Sequence, residues 1–127
     1  IVDLLTKEGR EPIVLQAYLP AARDGDKRLI LINGELRGAI SRIPQKGDHL
    51  GNVHVGGRVA RCEPDDRDRE IAEAMKSKLI EDGLVFVGLD VIDGYLIEVN
   101  VTSPTLIREI QALGGPDLAD VVFSTLF

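Results

Sequence analysis

The stretch V85-FVGLDVIDGYLIEVNV-T102 decides the fold. Its odd positions are apolar on both arms: Val85, Val87, Leu89 and Val91 going up, then Ile97, Val99 and Val101 coming down. Alternation with period two gives each arm of a hairpin one apolar face. A two-residue Asp93-Gly94 turn with unbroken pairing sets Asp90 beside Ile97 and Leu89 beside Glu98, which wastes the core. A three-residue loop, Ile92-Asp93-Gly94 with Gly94 left-handed, pairs Val91 with Tyr95 and gathers both apolar sets on one face. Asp90, Glu98 and Asn100 then share the other face.

Those three oxygen-bearing side chains form an arrangement suited to a hard cation. Glu98 and Asn100 stand two apart on one strand, with Asp90 a diagonal step across. Carboxylate and amide ligands without cysteine or histidine favour magnesium or manganese over zinc. They lie in mid-strand rather than in a turn, and Thr102-Ser103-Pro104 reads as a helix start aimed at the same face.

At 127 residues the chain fits one domain with a fair core. It opens on Ile1-Val2-Asp3-Leu4-Leu5, which reads as the latter part of a helix ending near Gly9, and it closes on an amphipathic helix from Asp117 to Phe127. These ends suggest a piece of a longer chain. The net charge of -6 argues against broad binding to a nucleic-acid backbone. The single cysteine, Cys62, allows no intrachain disulfide and no zinc spacing, which fits a reducing compartment such as the cytoplasm. No apolar run is long enough for a membrane span.

In chain order, Ile13 to Leu19 reads as an interior strand that Pro20 ends. Lys27 to Ile32 and Glu35 to Ile43 read as two strands around Asn33-Gly34, a strong hairpin signal. The register of this hairpin stays open. A plain two-residue turn puts Arg28 and Arg42 on opposite faces, a three-residue loop with a bulge puts them together, and the unbroken apolar run Leu29 to Ile32 does not choose. Ile43 to Arg58, with four glycines and both histidines, reads as a long mobile loop. His49 and His54 are assigned no role. Pro64-Asp65-Asp66 opens a packing helix to about Asp82, with Ile71, Ala72, Met75 and Leu79 on its apolar face and Gly83 as its stop. Ser103 reads as an N-cap with Pro104 in the first helical position, opening a helix to about Leu113. The sum is an α+β arrangement: an antiparallel sheet with helices packed on one side.

Carboxylates to hold magnesium, the forked guanidiniums of Arg28, Arg42 and Arg58, and a helix start at Ser103-Pro104 are the parts that phosphoryl transfer needs, so a nucleotide site is the economical inference.

The stretches LQAYLPAARDGDKRLILINGE, ISRIPQ, GNVHVGGR, GLVFVGLDVI and YLIEVNVTSPTLIREI, in this order and spacing from about Ile13 to Ile110, closely resemble the C-terminal part of the ATP-grasp domain of bacterial glutathione synthetases. The resemblance implies a partial ATP-grasp domain over residues 1–127. It implies an ATP-dependent ligase joining γ-glutamylcysteine to glycine through an acyl phosphate, with Mg2+ (or Mn2+). Carried onto this sequence, it makes Glu98 and Asn100 metal ligands with Asp90 in the same cluster. The backbone of Gln16, Ala17, Tyr18 and Leu19 lies along the adenine edge, with Asp26 and Lys27 close to the nucleotide. Arg28 and Arg42 hold phosphate and the activated carboxylate, and Arg58 closes a loop that shields the acyl phosphate. Gly56 and Gly57, with Val101, Thr102, Ser103 and Pro104, face the peptide substrate. A cytoplasmic homo-oligomer acting on small molecules is also implied.

Leu50 departs from the pattern, since the family carries arginine immediately before the loop's Gly51-Asn52 pair. The family's N-terminal substrate domain, the ATP-binding lysines and the glycine-rich phosphate loop are absent from these residues, so the 127 residues alone are expected to be incapable of full catalysis. The alternatives are another ATP-grasp carboxylate-amine ligase, or a non-catalytic nucleotide-binding module.

Overall fold

The computed structural model describes residues 1–44 and 57–127. His49, Leu50, His54, Gly56 and the centre of the expected loop lie outside the described residues. The elements are α1 (Val2–Leu5), a 3-10 turn (Pro20–Asp24), β1 (Asp26–Ile32), β2 (Glu35–Ile43) and β3 (Arg58–Arg61), followed by α2 (Asp66–Glu81), β4 (Phe86–Ile92), β5 (Tyr95–Asn100), α3 (Ile107–Ala112) and α4 (Leu118–Leu126). The described strands form one antiparallel sheet in the order β3-β2-β1-β4-β5.

Two hairpins of the same build dominate it. Asn33-Gly34 and Asp93-Gly94 both hold positive φ at both turn residues, 50° and 75° in the first, 50° and 73° in the second. That is the primed turn whose twist suits adjacent strands, and it favours these residue pairs. Two rungs follow each turn, Ile32 with Glu35 and Leu31 with Leu36, Ile92 with Tyr95 and Val91 with Leu96. One residue is then left over on the returning strand, Arg37 in the first hairpin and Ile97 in the second, before pairing resumes at Ile30–Gly38 and Asp90–Glu98. The three-residue loop expected at Ile92 to Gly94 is therefore replaced by a two-residue turn and a β-bulge. The bulge restores the same facing, so Asp90, Glu98 and Asn100 do share a side. In the first hairpin it decides the open question: Arg28 and Arg42 are on one face.

The expectation of an antiparallel sheet with helices holds, but the helices cover both faces rather than one. Leu29, Leu31, Val87, Leu89 and Val91 pack with Ile71, Ala72 and Leu79 of α2. Ile30, Ile32 and Ile40, alternate in their strands, pack with Leu106, Ile110 and Leu118 around α3 and α4. The unbroken apolar run Leu29 to Ile32 is thus a central strand buried on both sides. α2 begins at Asp65 with a reciprocal capping box to Asp68, worth about 1 kcal/mol.

Two expected elements differ. Ile13 to Leu19 forms no strand, and Val14, Leu15 and Tyr18 are largely exposed. A strand needs a neighbour to take its backbone groups, and no described segment pairs with this one. Ser103 does not cap a helix: its φ is 47° and α3 starts only at Ile107, after a left-handed Leu106. Pro104 instead lies against the sheet, where a Cβ on Gly88 would come within 2.9 Å of the proline ring. No described helix is long and apolar enough to cross a membrane.

Gly25 ties the 3-10 turn to the sheet. Its φ of 109° and the 2.0 Å separation that a Cβ would have from the Arg42 carbonyl oxygen leave no room for a side chain. Gly25→Ala is expected to cost on the order of 2–4 kcal/mol, read as a lower urea midpoint in the full-length protein. An unchanged midpoint would refute this account of the turn.

Candidate functional site

The register builds a charged row on the face that carries α3 and α4. Arg28 of β1 is paired directly with Asp90 of β4, Asp90 with Glu98 of β5, and Asp26 with Arg42 at the end of the β1–β2 ladder. Arg28 and Asp90 are buried, at 6% and 4% exposure, so their charges must be matched there. The match is a forked pair: Arg28 Nε donates to Asp90 Oδ1 at 2.8 Å and Nη2 to Oδ2 at 2.7 Å. Arg42 Nη2 reaches the same Oδ2 at 2.8 Å, and Asn100 Nδ2 donates to it at 3.3 Å. Arg42 also donates from Nε to Asp26 Oδ1 at 2.8 Å and from Nη2 to Asp26 Oδ2. Arg28 Nη1 lies 3.4 Å from the Thr105 hydroxyl.

The electrostatics follow from this packing. Burial pushes the Asp90 carboxyl up, but the Arg28 hydrogen bonds and the charges of Arg42 and Arg28 outweigh it and hold Asp90 below the usual carboxylate range. Burial likewise opposes the Arg42 charge, yet Asp26 and Asp90 hold its proton more firmly than usual. Glu98 is exposed and makes no ion pair among the described residues. Two carboxylates directly opposite on neighbouring strands normally repel, so this placement is sustained by the arginines behind Asp90.

A hard cation has donors here. The Glu98 carboxylate and the Asn100 carbonyl oxygen stand two apart on β5, while Asn100 turns its amide nitrogen to Asp90. Both Asp90 oxygens are already engaged by guanidinium or amide groups. No cluster of three His, Cys, Asp or Glu side chains placed to hold a metal occurs among the described residues. One carboxylate and one amide oxygen are hard donors, the chemistry that suits magnesium or manganese rather than zinc.

Of the other residues singled out, some come to this face and some do not. Pro104 is buried against it, whereas Val101, Thr102 and Ser103 are exposed beyond the end of β5. Arg58 is paired with Ile43, so Val59 rather than Arg58 is the β3 residue beside Arg42; Gly57 immediately precedes β3. Lys27 points to the opposite face, donating to Asp65 at 2.6 Å and to Asp68 at 2.5 Å. Burial lowers the Lys27 pKa and these two carboxylates more than reverse it. Gln16, Ala17 and Tyr18 are exposed in a segment without regular secondary structure, and Leu19 accepts a hydrogen bond from the Ala22 backbone. Sequence reasoning missed the clamp of Asp26 on Arg42 and the tie from Lys27 to the α2 cap. The cap itself, though not its Lys27 partner, was readable from Asp65-x-x-Asp68, an acidic variant of the capping-box spacing.

The chain is similar to proteins of one family along its whole length. The family described as "Prokaryotic glutathione synthetase, ATP-grasp domain" matches residues 1–115. The glutathione synthetase of Synechococcus elongatus is 52% identical over 126 residues, covering 99% of this chain and 39% of that protein. That of Thermosynechococcus vestitus is 52% identical over 127 residues, covering 100% of this chain and 40% of its own length. That of Rhodopseudomonas palustris is 48% identical over 126 residues, covering 99% and 40%. The chain thus spans about 40% of the length of the curated relatives it matches. Among solved structures, the ATP-grasp ligase PsnB complexed with a minimal precursor superposes with a TM-score of 0.62 at 18% identity, covering 97% of this chain and 42% of that one, a likeness of fold.

Proposed function

The chain belongs to the prokaryotic glutathione synthetase ATP-grasp family, and on that premise we propose that it supplies part of the active site of an ATP-dependent ligase joining γ-glutamylcysteine to glycine. The observation that carries this reading is the single face on which Asp26, Arg42, Arg28, Asp90, Asn100 and Glu98 meet. In this proposal ATP phosphorylates the cysteinyl carboxylate of the dipeptide, and the glycine amine displaces phosphate from that acyl phosphate, releasing ADP and phosphate. A divalent cation supplies charge neutralisation for the phosphates; Glu98 and Asn100 would hold it.

The residues of this chain serve the rest. Arg42, partly exposed and fixed by two carboxylates, is suited to meet an anionic group at the site. Arg28 is nearly closed off from solvent and acts from behind by fixing Asp90. The backbone of Gln16, Ala17 and Tyr18 lies outside the sheet ladders and is assigned, with Leu19, to the adenine edge, and Asp26 is assigned to the neighbourhood of the nucleotide. Gly56, Gly57, Arg58 and the segment Val101 to Pro104 are assigned to the peptide end. Magnesium or manganese, small-molecule substrates, a cytoplasmic location and a homo-oligomeric state belong to the same proposal, and the acidic net charge of -6 supports a protein that does not bind nucleic acid broadly.

The test is ADP release by the full-length protein with ATP, magnesium, γ-glutamylcysteine and glycine, omitting each in turn. Release that needs both the dipeptide and glycine is the expected result. Release that persists with another amine in place of glycine, at equal rate, would redirect the proposal to a different carboxylate-amine ligase.

A further inference from the structure

We propose that Gly88 is a positioning residue for the peptide end of the site: its missing side chain lets Pro104 seat on the sheet, and that seat sets where Thr102 and Ser103 stand relative to Arg28 and Asn100. The inference rests on the ligase reading above, which assigns Val101 to Pro104 to the dipeptide, and adds a residue that reading does not use. Gly88 is buried in mid-sheet, paired with Ile30 of β1 on one side and Asn100 of β5 on the other. It shares its face with Asp90, two residues further along β4. A Cβ there would lie 2.9 Å from the Pro104 Cβ and 3.6 Å from Arg28 Cδ and Nε, so the proline ring and the arginine stem occupy the room a side chain would take.

The segment above Gly88 is held in a shape that needs such a seat. Between Asn100 and α3 the chain places Ser103 at φ 47° and Leu106 at φ 84°. Left-handed backbone costs energy in residues other than glycine and persists only where the surroundings impose it. Here two buried anchors impose it: Pro104 on Gly88, and Leu106, at 7% exposure, clustered with Ile30, Ile32 and Ile40. Thr102, Ser103 and Thr105 are left exposed around the anchors, and the Thr105 hydroxyl lies 3.4 Å from Arg28 Nη1. Glu98 and Asn100, by contrast, are fixed by the β4–β5 ladder and do not depend on Pro104. A methyl group on Gly88 would have to lift Pro104 by roughly 0.6–1 Å to reach an ordinary carbon–carbon separation, carrying Thr102 and Ser103 with it. Gly88 has no positive φ, so alanine suits its backbone and the approach of Pro104 is the obstacle.

The test is Gly88→Ala in the full-length protein, with Pro104→Gly and the pair completing a double-mutant cycle. Gly88→Ala is expected to lower kcat/KM for γ-glutamylcysteine by roughly 10–100-fold while the KM for ATP stays within about twofold, since a misplacement near 1 Å can cost about 100-fold. Pro104→Gly removes the Cβ that the new methyl would strike, so the pair is expected to be no worse than Pro104→Gly alone. Multiplicative losses in the pair, a parental kcat/KM for the dipeptide in Gly88→Ala, or an equal loss in ATP would overturn the inference. If Gly88→Ala does not fold, the pair decides: recovery of folding supports the close contact and its absence counts against it. Crystal structures of the parent and of Gly88→Ala give a readout independent of turnover, with Pro104 expected to move off the sheet and Glu98 and Asn100 to stay in place; an unmoved Pro104 overturns the proposal. A parent protein that releases no ADP sinks the ligase reading instead, and the displacement alone then judges the seat.

Discussion

Glu98→Gln in the full-length protein is expected to lower magnesium-dependent turnover by about 10²–10³-fold while leaving the unfolding free energy within about 0.5 kcal/mol of the parent. The two effects separate because of where Glu98 stands. It is exposed on the edge strand β5, it makes no ion pair among the described residues, and its register partner is Asp90, another carboxylate. Glutamine keeps its volume and hydrogen-bonding reach and removes only charge. Removing one of two facing like charges does nothing to weaken the fold and can add a few tenths of a kcal/mol. What is lost is a hard anionic donor for a cation, so the apparent magnesium requirement is expected to rise along with the loss of kcat. Turnover against magnesium concentration, set beside a urea melt, reads both. Parallel loss of folded protein and activity would assign Glu98 to the fold instead.

The placement of this carboxylate was legible because alternation constrains parity. Leu89 and Val91 on one arm and Ile97 and Val99 on the other demand that Asp90 and Glu98 share the opposite face, whichever device supplies the odd residue. Alternation does not say where that residue goes. A three-residue loop and a two-residue turn with a bulge at Ile97 give the same facing, and Asp93-Gly94 prefers the second because both of its residues accept positive φ. In the first hairpin the parity signal was missing for a physical reason: Leu29 to Ile32 is buried on both sides, so every position is apolar. The same run was the sign that helices cover both faces.

Local signals failed where tertiary contacts override them. Ser103-Pro104 carries a helix-start pattern, but Pro104 is drawn down onto Gly88 and the helix begins three residues later. Ile13 to Leu19 has the composition of a strand and no described partner to make it one. The charged row was the least legible feature, since it depends on three strands being in register at once. Asp26, Arg28, Arg42 and Asp90 are distributed over more than sixty residues of sequence; the bulge at Arg37 brings Arg42 to the side of Arg28, and the unbroken β1–β4 ladder brings Asp90 there. Their pairing belongs to the sheet as a whole.

Asp90→Ala is expected to be the most destabilising single substitution in this row, costing about 3–5 kcal/mol at neutral pH, because it strands the Arg28 guanidinium in a site with 6% exposure. The pH dependence has a definite sign. Asp90 has its folded pKa depressed below the ordinary value of about 4, so its contribution is fully present above that value and is lost as pH falls through the folded pKa. The gap between wild type and Asp90→Ala in urea midpoints is therefore expected to be widest near pH 7 and to narrow as the pH falls below about 4. A gap of constant size would mean that the carboxylate charge contributes nothing to folding. The paired replacement Arg28→Met with Asp90→Leu removes both charges and fills the space with apolar volume. It is expected to regain most of the stability, since a buried ion pair is often no better than a hydrophobic pair for folding. It is not expected to regain activity, because Arg42 then loses its β4 anchor and Asn100 loses the acceptor that orients its amide. A protein made stable but inactive by that exchange would identify the buried pair as one retained for the geometry of the site.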